Sequence, residues 1–193
     1  MNLTEGTHKE KTRRAKKMML YFGIASLVMS FAGLTSAYII SSKREDWLTD
    51  FQLPQAFTIS TLLILLSSLT MYVAFKALNQ QKRSMTTSML VATFVLGLLF
   101  VFFQFKGYSE MISSGYYLTG EASNVTMSYI YVISFLHIAH VIAGMISLIV
   151  VIYNHFKQKY NHKEYLGFEL AMIFWHFVDI LWIYLFLFFS FYR

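Results

Sequence analysis

Apolar positions in this chain come in long blocks with short polar stretches between them. Five blocks can be delimited: about Met18 to Ile40, Ala56 to Leu78, Met85 to Phe105, Met127 to Tyr153 and Phe168 to Tyr192. Each reaches the roughly 20 mainly apolar residues that cross a bilayer core. Each is also predicted to be helical, because hydrocarbon offers no partner to a free backbone amide. The pattern therefore predicts an all-α integral membrane protein, a bundle of five transmembrane helices. Residues 18–193 form its single membrane domain, and residues 1–17 a basic cytoplasmic tail. The first block has the basic flank of a signal peptide. Its apolar stretch is too long for a 7–15-residue signal core, so the reading is a retained helix. No internal repeat is evident.

Composition agrees with this pattern, and charge adds an orientation. The chain has 193 residues, 56% of them hydrophobic and 13% charged, against about 25% charged in soluble domains. It has no cysteine, which rules out disulfides, thiolate metal sites and cysteine nucleophiles. The net charge is +6, with sixteen Lys and Arg in all. Lys9, Lys11, Arg13, Arg14, Lys16, Lys17, Lys76, Lys82, Arg83, Lys157, Lys159 and Lys163 fall on one side of a five-span chain. Lys43, Arg44, Lys106 and Arg193 fall on the other. The positive-inside rule then predicts a cytoplasmic N-terminus and a periplasmic C-terminus. Topology accounts for the basicity, so no nucleic-acid partner is needed. The basic arm is suited to anionic lipid headgroups. Tyr108, Tyr116 and Tyr117 in the longest link suit the membrane interface.

Polar residues inside the blocks are the candidate functional groups, since they are costly in hydrocarbon. Helix four carries His137 and His140, on a stripe with Ser134, Gly144 and Ser147. Helix five carries Glu169, His176 and Asp179 within one sector about 80° wide, and Trp175 and Trp182 on a neighbouring face. The expected arrangement has helices four and five facing each other, with the carboxylates accepting hydrogen bonds from imidazole and indole groups. Three uses of that cluster stay open on the residues alone. It could be a histidine-metal site of a membrane enzyme. It could be a proton relay or ion path of a small transporter. It could also be a structural lock between helices that seats a lipid headgroup. Helix one carries a seam of small residues, Gly23, Ser26, Ser30, Gly33 and Ala37. Such a seam lets another helix approach closely, and packing within the chain is the simpler expectation. There is no Gly-rich phosphate loop and no serine nucleophile elbow. Pro54 lies in a link, and an odd number of spans suits an inverted-repeat carrier poorly.

These motifs resemble subunit III of the haem–copper respiratory oxidases, in its short five-helix bacterial form. "FWHFVDILWIYLF" in helix five, preceded by "HKEYLGFELAMI" with Gly167 and Glu169, is similar to the family's tryptophan-histidine-phenylalanine-valine-aspartate signature. "FLHIAHVIAG" is similar to its helix-four motif. "TLLILLSSLTM", "FAGLTSAYI" and the surroundings of Gln104 and Tyr108 match more weakly. The similarity runs from Met18 onward. Three features depart from the family pattern: Leu27 stands where a helix-one glutamate is usual, Gly107 where a glutamate often precedes the tyrosine, and Ile138-Ala139 where glycine is often found between the two histidines. The resemblance implies a non-catalytic subunit of a proton-pumping terminal oxidase in a bacterial inner membrane. It implies haem and copper in subunits I and II and none in this chain. It further implies bound phospholipid, support of proton uptake, and protection of the catalytic subunit during turnover. Subunits I and II would be its partners, with a second subunit III-like chain or a subunit IV chain as further neighbours.

Overall fold

Five helices carry the five blocks in the computed structural model, which describes residues 7–48, 51–120, 123–160 and 165–192. They are α1 (His8–Ser41), α2 (Gln55–Asn79), α3 (Arg83–Ser113), α4 (Val125–Phe156) and α5 (Leu166–Phe191). All are long and apolar enough to cross a membrane, and the chain is an all-helical multi-pass membrane protein. Among the described residues the remaining regular pairing is an isolated bridge between Tyr117 and Ser123.

The helix ends differ from the hydropathy boundaries for local reasons. The basic segment expected as a tail is helical from His8, because Thr7 and Glu10 form a capping box. Each satisfies a backbone N–H of the other, two donors that the first turn leaves free. α3 runs eight residues past Phe105, through Gly107 to Ser113. Gly115 takes φ +85°, and Tyr116 N donates to Met111 O while Gly115 N donates to Ile112 O. This double closure needs a left-handed residue, for which glycine is the usual choice. α2 and α4 end in the same motif with Gln81 (φ 59°) and Gln158 (φ 57°) at the left-handed position.

α2, α3, α4 and α5 form a ring in which each helix packs on the next, and α2 and α3 share the longest interface. Trp175 sits in the centre of this ring, 2% exposed. Its indole lies between Gly97 of α3 and Gly144 of α4. A Cβ on Gly97 would stand 2.9 Å from the ring and one on Gly144 3.1 Å from it. Phe57, Ile64, Met71, Phe100 and Trp182 complete the core above and below it. Gly107, where the resembling family often has a glutamate, packs against Phe57, and a Cβ there would lie 2.8 Å from that ring. A side chain larger than glycine at this position would press on Phe57.

α1 stands outside the ring and touches α4 and α5. Polar contacts hold it near both ends. At the end that the charge pattern predicts to be cytoplasmic (the inner end), Arg13 Nη2 donates to Glu169 Oε2 at 3.0 Å, Lys17 pairs with the other carboxylate oxygen, and the Arg13 guanidinium lies 5.2 Å from the Tyr165 ring. At the outer end Thr35 and Tyr184 share a hydrogen bond at 3.0 Å, as do Ser41 and Tyr129. Tyr38 packs edge-on against Trp47 and Phe188 and donates to Tyr192 O at 3.3 Å. The link beyond is held by Asn124 Nδ2 donating to Asp46 O at 2.8 Å. Arg44 beside Asp46 holds that exposed carboxyl below its ordinary value.

The seam of small residues does not pack within the chain. Gly23, Ser26, Ser30 and Gly33 are exposed, Ala37 is half-buried, and nothing lies within 4 Å of a Cβ built on either glycine. Helix α1 uses Phe31, Thr35 and Tyr38 for its internal contacts, so the bulky face packs inward and the seam faces outward.

Candidate functional site

Helix α5 carries two tryptophans seven residues apart, and α2 carries a hydroxyl facing each of them. Trp175 Nε1 donates to Ser67 Oγ at 3.0 Å, and Trp182 Nε1 donates to Thr61 Oγ1 at 3.0 Å. Both are buried rungs between helices that run in opposite directions. A buried indole N–H needs an acceptor, and a short hydroxyl on the facing helix supplies one without adding charge. Ser68, next to Ser67, lies 2.7 Å from His176 Nδ1. Further along α2 the Ser60 hydroxyl accepts from Gln104 Nε2 at 2.9 Å.

The expected cluster between α4 and α5 is thus divided. Glu169 pairs with Arg13 and Lys17 of α1, the cations at its own end of the bundle. Trp175, His176 and Trp182 hydrogen-bond to α2. His137 is fully buried and stacks on Trp182 with ring centroids 5.1 Å apart, edge-on to Phe100 at 6.0 Å, with no hydrogen bond at either nitrogen. His140 keeps its Nδ1 on its own helix, donating to Leu136 O at 2.7 Å, and its ring meets Phe31 of α1. Asp179 is 2% exposed and neither oxygen accepts a completed hydrogen bond. The expected carboxylate–imidazole and carboxylate–indole bonds are not formed. The α2 hydroxyls accept from both indoles and pair with His176 without burying a charge, which is the less costly arrangement. Among the described residues no three of His, Asp and Glu come together closely enough to hold a metal ion.

The residues missed at the level of sequence are these α2 hydroxyls and the α1 cations. Ser60 and Ser67, and Thr61 and Ser68, repeat at the seven-residue interval of the α5 tryptophans. The two that accept from the indoles, Thr61 and Ser67, are six apart, so the interval alone does not pick out the pairing. The Arg13 and Lys17 pairing had no signal, because both read as part of a charged tail.

A crevice of about 500 Å³ runs between α1, α4 and α5. Leu20, Ile146, Val150, Leu170 and Phe174 make its walls apolar. At its inner mouth, past Tyr160 and Gly167, it meets a groove of about 850 Å³ bordered by Lys9, Arg13, Lys16 and Lys159.

Comparison with known proteins bears on the whole chain. The family model described as cytochrome c oxidase subunit III matches residues 2–193. A cytochrome bo(3) ubiquinol oxidase subunit 3 from Buchnera aphidicola is 29% identical over 97% of this chain and 92% of its own length. A cytochrome c oxidase subunit 3 from Petromyzon marinus is 28% identical over 94% of this chain and 71% of its own. The relative in Pelomedusa subrufa with the same name is 27% identical, over 95% and 72%. On the match of residues 2–193 and the five spanning helices, the chain belongs to the cytochrome c oxidase subunit III family.

Proposed function

We propose that this chain is a non-catalytic accessory subunit of a proton-pumping terminal oxidase in a bacterial inner membrane. It packs beside subunits I and II, stabilises the catalytic subunit during turnover, supports proton uptake, and binds phospholipid. The observation that carries this reading is the family match over residues 2–193. The relatives are named as subunits of both cytochrome c and ubiquinol oxidases, so the reading commits to the oxidase and not to one electron donor.

The lipid part of the reading moves from the α4–α5 cluster to the crevice beside α1. The buried residues of the cluster, Trp175, Trp182, His137 and Asp179, leave no room there. The crevice joins apolar walls to a basic mouth, which suits an acyl chain below a phosphate headgroup. Gly167 forms the neck between the two parts, tight against Tyr160.

Purification in mild detergent tests the reading. The chain is expected to co-purify with haem-bearing subunits and to retain phospholipid. Isolated alone, it should give no haem spectrum and no stoichiometric metal. An oxidase assembled without it should start turnover normally and lose activity faster. One metal ion per isolated chain, together with oxygen-dependent activity, would replace this reading with that of a histidine-metal membrane enzyme.

A further inference from the structure

Ser68 and His176 meet at 2.7 Å in the groove between α2 and α5, and both are half-buried. The contact uses His176 Nδ1. Nε2 makes no hydrogen bond with any described residue, yet it is not among the buried polar atoms, so it is accessible at the surface of the bundle. Ser68 stands about 16–20 Å from the two ends of α2 and His176 about 15–22 Å from the two ends of α5, at 1.5 Å per residue. In a hydrocarbon core about 30 Å thick, the pair lies close to the midplane. Lipid headgroups do not reach that depth, and acyl chains offer an imidazole no hydrogen-bond partner. Ionisable side chains inside a membrane nearly always face protein or an aqueous cavity, so lipid alone is a poor cover for this face. Its other residues are large and open. Leu65 and Tyr72, three and four residues from Ser68, are 45% and 55% exposed, and Ile180, four residues from His176, is 65% exposed. Ser68 is the small residue among them, and a small residue lets a second backbone come close.

We propose that the α2–α5 groove docks one transmembrane helix of a different protein, which carries a hydroxyl or carboxamide side chain level with His176 and hydrogen-bonds to its Nε2. The chemistry of the face selects that partner. A neutral imidazole presents either an N–H or a lone pair at Nε2, according to which nitrogen holds the hydrogen. Hydroxyl and carboxamide groups both donate and accept, so they satisfy either form. A charged side chain would bring a second ion out of water at a cost the single contact does not offset. Apolar residues of the same helix cover Leu65 and Ile180 and keep lipid away from the bond. A twofold contact between copies would set this groove against itself, whereas one projecting helix fills it. The inference gives the accessory subunit's partner a place on the bundle, and it rests on that reading only for the partner being an oxidase subunit.

Photocrosslinking of the full chain in the membranes of its own host tests the proposal. Benzoylphenylalanine placed at Leu65 or Ile180 should link to a second protein far more often than at Val95, which is exposed on α3. The linked peptide should come from a transmembrane segment with a hydroxyl or carboxamide residue at the depth of His176. With the probe at Leu65, His176→Leu should lower the yield about threefold to thirtyfold, the scale of one hydrogen bond between membrane helices, and His176→Gln should restore it. Ile180→Trp blocks the face by bulk and keeps the Ser68–His176 contact. It should lower the yield with no change in the thermal midpoint of the purified chain, which guards against a fold defect in the leucine variant. Adducts with lipid alone, equal yields at Ile180 and Val95, or an adduct with a second copy of this chain would overturn the proposal. So would a yield that His176→Leu leaves untouched, the result a purely structural contact predicts. A partner of the expected chemistry that is no oxidase subunit would leave the docking face standing and remove the oxidase reading.

Discussion

Trp175 passes between Gly97 and Gly144 and donates to Ser67, so one side chain of α5 meets α2, α3 and α4. Its seven-residue spacing from Trp182 is plain in the sequence, but its partners are not, because a hydroxyl on α2, more than a hundred residues back in the chain, leaves no mark near the tryptophan. The close glycine contacts give a direct prediction. Gly97→Ala places a methyl 2.9 Å from the indole, and the tryptophan has backbone on its other side. The variant should lose about 1–3 kcal/mol, the usual cost of overpacking, read as a lower thermal midpoint in detergent. The left-handed positions predict the opposite sign. Gln81 and Gln158 occupy a conformation that costs a side-chain-bearing residue about 1–2 kcal/mol. Gln81→Gly and Gln158→Gly should each raise stability, by about 0.5–1 kcal/mol after the greater freedom of glycine in the unfolded chain is counted. The same thermal measurement reads both.

At the scale of elements, α1 differs from the other four. The share of its apolar window that is buried is 11%, against 28–39% for the rest. The sequence marked it as a span but not as an outlier, because its small-residue seam looked like a packing face. The structure buries the opposite side, where Phe31 and Tyr38 fill more volume than glycine and serine can. Its attachment is polar at the inner end, through Arg13 and Lys17 to Glu169. These pairs are partly exposed, so their contribution to global stability is small. Their effect should be local. Glu169→Gln is expected to leave the melting point nearly unchanged, yet to speed amide hydrogen exchange in the first three turns of α1. It should also lower phospholipid retention, since the basic groove and the crevice are framed by that end of α1. Unchanged exchange in α1 would show that Glu169 does not hold it.

At the scale of the molecule, the five spans were legible because a bilayer-length apolar block leaves few alternatives. The ring of α2 to α5 with α1 outside was not, because these helices are apolar on most faces and carry little directional signal. What hydropathy leaves open, charge and contact can address. Arg13 and Lys17 meet Glu169 at the start of α5, and Arg83 Nη2 donates to His155 O at 2.9 Å at the end of α4. The N-terminal segment, the α2–α3 link and the α4–α5 link therefore lie at one end of the bundle, and they hold most of the basic residues. The positive-inside rule predicts that this end is cytoplasmic. Because the chain has no cysteine, a single introduced thiol reports its own side of the membrane. Lys9→Cys and Gln80→Cys, at the basic end, should react with a membrane-impermeant maleimide only after the cells are opened. Lys43→Cys and Ser114→Cys, at the opposite end, should react in intact cells whose outer membrane is permeable to the reagent. Labelling of the first pair in intact cells, with the second pair protected, would invert the topology and place the basic mouth of the crevice on the periplasmic face.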